Sequence, residues 1–134
     1  QEVQTGAVEP AVDVEEANGQ PIISLFRGTH RPNPIEIHLL ERHPLGSQAF
    51  MPLSQYDWLV VVAHGNAVGD APDFSTLLCF KASGLQGVSY DRGTWHHPLL
   101  TLQPVQDFLV IDRQGHGHNL DEVWHNGPAA IIQP

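Results

Sequence analysis

Cysteine and positive charge are the two things this sequence has least of. A single thiol, Cys79, in 134 residues excludes an internal disulfide and fits a reducing, cytoplasmic compartment. Its neighbours Leu78 and Phe80 suggest a buried, inert thiol in place of a nucleophile. Six Lys and Arg stand against fifteen Asp and Glu, for a formal net charge of −9. Nucleic acid and anionic membrane both need a basic patch, so neither is expected as a partner. Long apolar runs are missing too: nothing approaches the ~20 residues of a membrane helix. No signal-peptide pattern is visible. There is no Gly-x-Ser-x-Gly nucleophile elbow. Gly115-x-Gly117 is too short for a phosphate-cradling loop, and no helical pattern follows it. Strand–helix alternation, internal repeats and low-complexity blocks are absent as well.

What remains is a globular composition, 41% hydrophobic and 16% charged, in a length that makes one domain with a real core. The charge is uneven. Residues 1–20 carry Glu2, Glu9, Asp13, Glu15 and Glu16 and no basic residue. They read as an acidic arm, loosely attached or a weak edge segment, ahead of a single domain over 21–134.

From Pro21 onward, short apolar runs alternate with turn signals every eight to twelve residues or so, the pattern of an all-β sandwich or barrel. Strands are expected at Ile22–Arg27, Ile35–Leu39, Ser47–Phe50, Thr76–Lys81, Val88–Tyr90, Leu99–Leu102, Phe108–Asp112, Glu122–His125 and Ala129–Ile132. A short helix through Phe74–Phe80 is the alternative at one place. Trp58–Ala63 (Trp-Leu-Val-Val-Val-Ala) is the most β-prone stretch and should be a central strand.

Nine histidines are many for this length. Two follow a Gly turn in Gly87-Val-Ser-Tyr-Asp-Arg-Gly-Thr-Trp-His-His-Pro98. Gly93 can take a conformation other residues resist, and Pro98 restricts His97 before it. His96 and His97 are thereby held just past a tight turn. A second group, His116, His118 and His125, sits at a Gly-rich corner, where a solvated loop is the better reading.

Gly93-x-x-His96 after a strand resembles the second half-motif of the cupins. Leu39–Leu53 (LLERHPLGSQAFMPL), Gly87–Leu102 and Asp107–Glu122 (DFLVIDRQGHGHNLDE) together resemble the ureidoglycolate lyase family over roughly Pro21 to Pro134. The resemblance implies a cupin-type double-stranded β-helix, a jelly-roll barrel with few or no helices, and a longer N-terminal section than the one here. It implies an enzyme of allantoin breakdown that cleaves ureidoglycolate to glyoxylate and urea, a divalent metal (nickel), and a homodimer.

Carried onto this chain, the metal ligands would be His43, Gln48 and His96, with Gln48 standing where cupins usually have Glu. Cleavage needs a base for the hydroxyl proton and an acid for the departing nitrogen, roles that imidazoles fill near neutral pH. His43 and His96 are the candidates, with Tyr90, His97 and Glu122 assisting. A guanidinium would hold the carboxylate bidentately: Arg42 or Arg92, with Arg113 third. Ser47 and Gln48 are further substrate contacts, and Asp112 reads as a residue that orients Arg113. The alternatives are an amidohydrolase releasing ammonia from the same substrate, and a non-enzymatic cupin that binds a small carboxylic acid.

Overall fold

The computed structural model describes residues 10–134. Turn residues cut the described residues into twelve strands: β1 (Gln20–Thr29), β2 (Ile35–Ile37), β3 (Leu39–Arg42), β4 (Gln48–Pro52), β5 (Trp58–Ala63), β6 (Leu78–Ala82), β7 (Val88–Tyr90), β8 (Trp95–His96), β9 (Leu100–Thr101), β10 (Val105–Gln114), β11 (Asp121–Trp124) and β12 (Ala130–Ile132). The only helical pieces among the described residues are single 3-10 turns at Glu16–Asn18 and Phe74–Thr76. The helix considered through Phe74–Phe80 is thus one turn, capped by the Asp73 carboxylate on the Ser75 amide.

All strand pairs are antiparallel. A four-stranded sheet runs β1-β10-β4-β7, and a six-stranded sheet runs β11-β3-β8-β5-β6 with β9 also on β5; β12 and β2 form a third, small sheet. This is the expected all-β architecture. β1 and β10 are longer than expected because they pair with each other along their whole length, from Gln20 with Gln114 to Thr29 with Val105. β10 begins at Val105, ahead of the expected start at Phe108.

β5 explains the core. Successive side chains of a strand point to opposite faces. Trp58 and Val60 pack with Phe50, Ala82, Tyr90, Phe108 and Val110 in the layer between the two large sheets. Leu59 and Val61 pack on the other face with Ile35, Ile37, Leu40, Trp95 and Leu100, beneath β2 and β12. Both faces of β5 are covered, so its sequence is an uninterrupted apolar run. Trp58 and Phe108 meet edge-to-face at 4.9 Å between centroids, the favoured aromatic geometry. β6 is an edge strand, and Cys79 is exposed there with Leu78 and Phe80. The buried thiol expected from those flanking residues is not found, because β6 turns only Ala82 into the core.

The acidic arm divides. Residues 1–9 lie outside the described residues; from residue 10 onward the arm is fastened to the domain. Val14 is buried. The Asp13 amide donates to Ser47 Oγ at 2.9 Å, and the Ser47 amide donates back to the Asp13 carbonyl at 2.9 Å. Arg113 donates to the backbone carbonyls of Glu16 at 3.0 Å and Ala17 at 3.5 Å and to that of His116. No helix among the described residues is long and apolar enough to cross a membrane.

Candidate active site

The inter-sheet core becomes polar at one end, and the strand period dictates where. Phe108 and Val110 face inward on β10, so Asp112 does too; Phe50 faces inward on β4, so Gln48 does too. Gln48 lies opposite Tyr90 in the β4–β7 register, and its amide donates to Asp112 Oδ2 at 3.2 Å. From the six-stranded sheet, Glu41 lies directly opposite His96 in the β3–β8 register. His43 follows two residues after Glu41. The Asp91–Thr94 turn fixes the spacing of the two histidines. Gly93 takes φ +77°, a region that favours glycine, and its amide donates to the His43 carbonyl at 3.0 Å.

Two opposed rings tie the halves together: Tyr90 stacks on His96 at 4.1 Å between centroids and 12° between planes. The His43 and His96 rings lie 5.3 Å apart. Ligating atoms of Glu41, His43 and His96 all fall within 4.8 Å of one another, the one such cluster among the described residues.

The tautomers follow from the partners. His43 Nδ1 lies 2.9 Å from the Asn119 carbonyl and His96 Nδ1 lies 2.9 Å from the Thr94 carbonyl. A carbonyl only accepts, so each Nδ1 carries the hydrogen and each Nε2 presents a lone pair. Both Nε2 atoms are buried without a hydrogen-bond partner, as is Gln48 Oε1. Glu41 Oε1 stands 3.6 Å from His96 Nε2 and 4.0 Å from His43 Nε2. Lone pairs therefore converge on one point with no donor between them. Buried acceptors are rarely left in that state; a cation or a donor-bearing substrate would satisfy them. Metal-ligating histidines usually anchor their second nitrogen in this way, and imidazole with carboxylate suits a divalent transition ion. The residues present fit a metal.

The electrostatics agree with a dry centre. Burial, reinforced by the neighbouring His43 and His97 and opposed by the Thr94 hydrogen bond, brings His96 down to about 4. Burial pushes the Glu41 carboxyl up, with His43 pulling down and Glu122 adding to the rise. Burial likewise raises Asp112 against its hydrogen bond from Gln48 and the nearby His43. Tyr90 is raised by burial and by Glu41, so its phenol keeps its proton.

The structure brings His43, His96, Tyr90 and Gln48 together and places the other expected site residues elsewhere. Arg42 points to the opposite face of its sheet, 4.6 Å over the Trp95 ring, with Nε on Asp121 at 2.8 Å. Arg92 lies on the outside, bound to both Asp13 oxygens at 2.9 and 2.7 Å and to Glu16 at 3.1 Å. Both had been expected to face a substrate carboxylate, and both serve acidic side chains of this chain. Arg113, third candidate for that role, holds the arm. Asp112, expected to orient Arg113, instead faces the centre with Gln48. Ser47 is taken by Asp13. His97 is buried, its Nδ1 donating to the Pro98 carbonyl at 2.7 Å. Glu122 pairs with Glu41 in the β11–β3 register. His118 sits 2.6 Å from Asp121, and His125 Nδ1 donates to the Gly127 carbonyl at 3.1 Å, so these rings do not converge. Glu41 is a candidate ligand absent from the expected set; its period-two spacing to His43 in Glu-Arg-His is the available signal.

A family model described as ureidoglycolate lyase matches residues 4–132. A protein named ureidoglycolate lyase from Burkholderia mallei is 51% identical over 111 residues, 83% of this chain and 63% of that relative. Proteins of the same name from Pseudomonas putida and Pseudomonas syringae are each 50% identical, over 90% and 83% of this chain and 71% and 64% of their own lengths. The chain thus spans a little under two thirds of the Burkholderia relative.

Proposed function

Since the chain belongs to the ureidoglycolate lyase family, we propose that it cleaves ureidoglycolate to glyoxylate and urea at the Glu41–His43–His96 centre. The observation that carries this reading is the convergence of the two unpartnered Nε2 atoms and the Glu41 carboxylate in a buried site. Glu41, His43 and His96 would hold a divalent ion, nickel by family resemblance. When bound, such an ion supplies Lewis-acid polarisation of the substrate oxygen that becomes the aldehyde.

The chain's other residues then have defined work. The reaction is proton-neutral: the hydroxyl hydrogen leaves oxygen as the C=O forms, and the departing urea nitrogen needs one hydrogen as the C–N bond breaks. One group can carry it across. We assign that shuttle to Asp112, whose carboxyl is raised by burial toward the working pH, as efficient proton transfer requires. Gln48 fixes the Asp112 carboxylate through its amide. Tyr90 holds the His96 ring flat by stacking and, as a neutral phenol, donates a hydrogen bond to the departing urea. The acid and base roles expected of His43 and His96 pass to Asp112 because each Nδ1 is tied to a carbonyl and each Nε2 faces Glu41.

The test is product identity from ureidoglycolate. Urea and glyoxylate in equal amounts support the lyase; ammonia as first product supports an amidohydrolase and overturns this reading. The same reading makes the protein a cytoplasmic homodimer. Ile23, Leu25 and Met51, exposed and cross-strand neighbours of Ile111 and Leu109 on the outer face of the four-stranded sheet, support a second copy there. A monomer mass by sedimentation at micromolar concentration would contradict it.

A further inference from the structure

An anionic substrate meets a centre that already holds the Glu41 carboxylate, in a chain with six basic residues and a net charge of −9. A basic side chain beside that centre would give the substrate carboxylate a fixed partner whether or not an ion is bound. Five of the six Lys and Arg residues are placed elsewhere. Arg27 is closed on Asp107 through two hydrogen bonds, at 2.9 and 3.1 Å. Arg42 is on Asp121, Arg92 on Asp13 and Glu16, and Arg113 on the carbonyls of the arm. Lys81 lines a different cleft, between β5–β6 and β7, whose walls include none of Glu41, His43 and His96. Arg31 is left. It has no ion pair and no hydrogen bond among the described residues, and it lines a cleft of about 530 Å³ whose walls include Glu41, Gln48, Phe50 and Leu99.

We propose that Arg31 is the carboxylate-binding residue of this site: its guanidinium, on the wall of the cleft that reaches Glu41 and Gln48, receives the carboxylate of the 2-hydroxy acid half of the substrate. The inference rests on the lyase reading for the identity of that acid and on the cleft alone for the binding of a carboxylate.

The local sequence favours the role. Pro32 restricts the Arg31 backbone to extended conformations, and its own φ is locked. The base of the side chain is thus held where most loop residues wander. A guanidinium offers a fixed fork of donors that matches a carboxylate.

The test separates carboxylate binding from turnover. Glycolate and its neutral counterpart glycolamide are titrated calorimetrically into the full chain and into Arg31→Gln. The substitution should weaken glycolate about tenfold or more, a lost charge-assisted fork, and leave glycolamide unchanged; Arg31→Lys should recover part of the loss. In ureidoglycolate turnover, Arg31→Gln should raise KM by a similar factor with kcat little altered, the mark of uniform binding. Unchanged glycolate affinity, or an equal loss for glycolamide, would overturn the assignment of Arg31. Absence of urea from the wild-type protein would instead remove the lyase reading, and the calorimetric comparison would still decide Arg31.

Discussion

Replacing Arg113 with methionine should unfasten the acidic arm and cost far more than replacing Arg92, although both arginines hold the same segment. Arg113 is 7% exposed and donates to three backbone carbonyls, those of Glu16, Ala17 and His116. Its side chain also packs where a Cβ on Gly19 would sit 2.3 Å from Nε and one on Gly46 would sit 2.9 Å from Cβ, so the arm and the β3–β4 corner are built around it. A hydrogen bond from a charged donor contributes about 1.5–3 kcal/mol, and the contributions do not add in full because freed carbonyls regain water. Methionine keeps the stem's packing and removes the donors. The expected loss is about 2–4 kcal/mol. With an unfolding entropy of about 2.1 cal/mol/K per residue, a chain of 134 residues then loses about 7–14 °C in Tm. Arg92 is an exposed ion pair to Asp13 and Glu16, a class that contributes little in water, so Arg92→Met should shift Tm much less. Hydrogen exchange gives the local reading: the Ser47 amide, held by the Asp13 carbonyl, should exchange faster in Arg113→Met. A Tm drop below about 3 °C with Ser47 still protected would refute the idea that Arg113 fastens the arm.

Other consequences can be checked singly. Phe108→Ala, at a fully buried ring shared by Trp58 and Phe50, should cost about 3–5 kcal/mol by denaturant titration. Tyr90→Phe keeps the stack on His96 and removes the hydroxyl, so turnover should fall about 10- to 100-fold with metal content unchanged; an equal fall in metal content would make Tyr90 structural only. Between pH 6.5 and 4, stability of the chelator-treated protein should fall as pH falls. His96 and His97 titrate at about 4 when folded and near 6.5 when unfolded, so the unfolded chain binds more protons in that window. The loss is up to about 3 kcal/mol per ring. Glu41 and Asp112, raised by burial, oppose it through smaller shifts. A Tm that is flat or rising toward pH 4 would refute buried neutral histidines.

Much of the fold was legible because strands leave a local record. β5 was found at its full extent because both faces are buried, and β7 because two turns frame it. Gly93 was legible for the reason the structure confirms, a positive φ that the His43 carbonyl exploits. The gathering of His43, His96, Tyr90 and Gln48 followed from family blocks. Their partners were not legible. Whether Arg42 faces the site or Trp95 depends on which face of β3 is inward, and a four-residue strand with Leu39 and Leu40 adjacent does not say. Arg92 and Arg113 were misplaced for another reason: their partners, Asp13 and the carbonyls around Glu16, lie more than seventy residues away in the chain. Glu41 and Asp112 became visible only when register set Glu41 across from His96 and the strand period turned Asp112 inward beside Gln48.

The most direct measurement of the central claim is urea release from ureidoglycolate by the full chain before chelation, after chelation and after nickel is restored, with bound metal counted in parallel for the wild type, His43→Ala and Glu41→Gln. The account predicts about one ion per chain in the wild type, loss of urea release on chelation and its return with nickel. Both variants should fall well below one ion and lose activity in proportion. Full urea release from metal-free wild type, or from either variant, would contradict the assignment of the chemistry to the Glu41–His43–His96 centre.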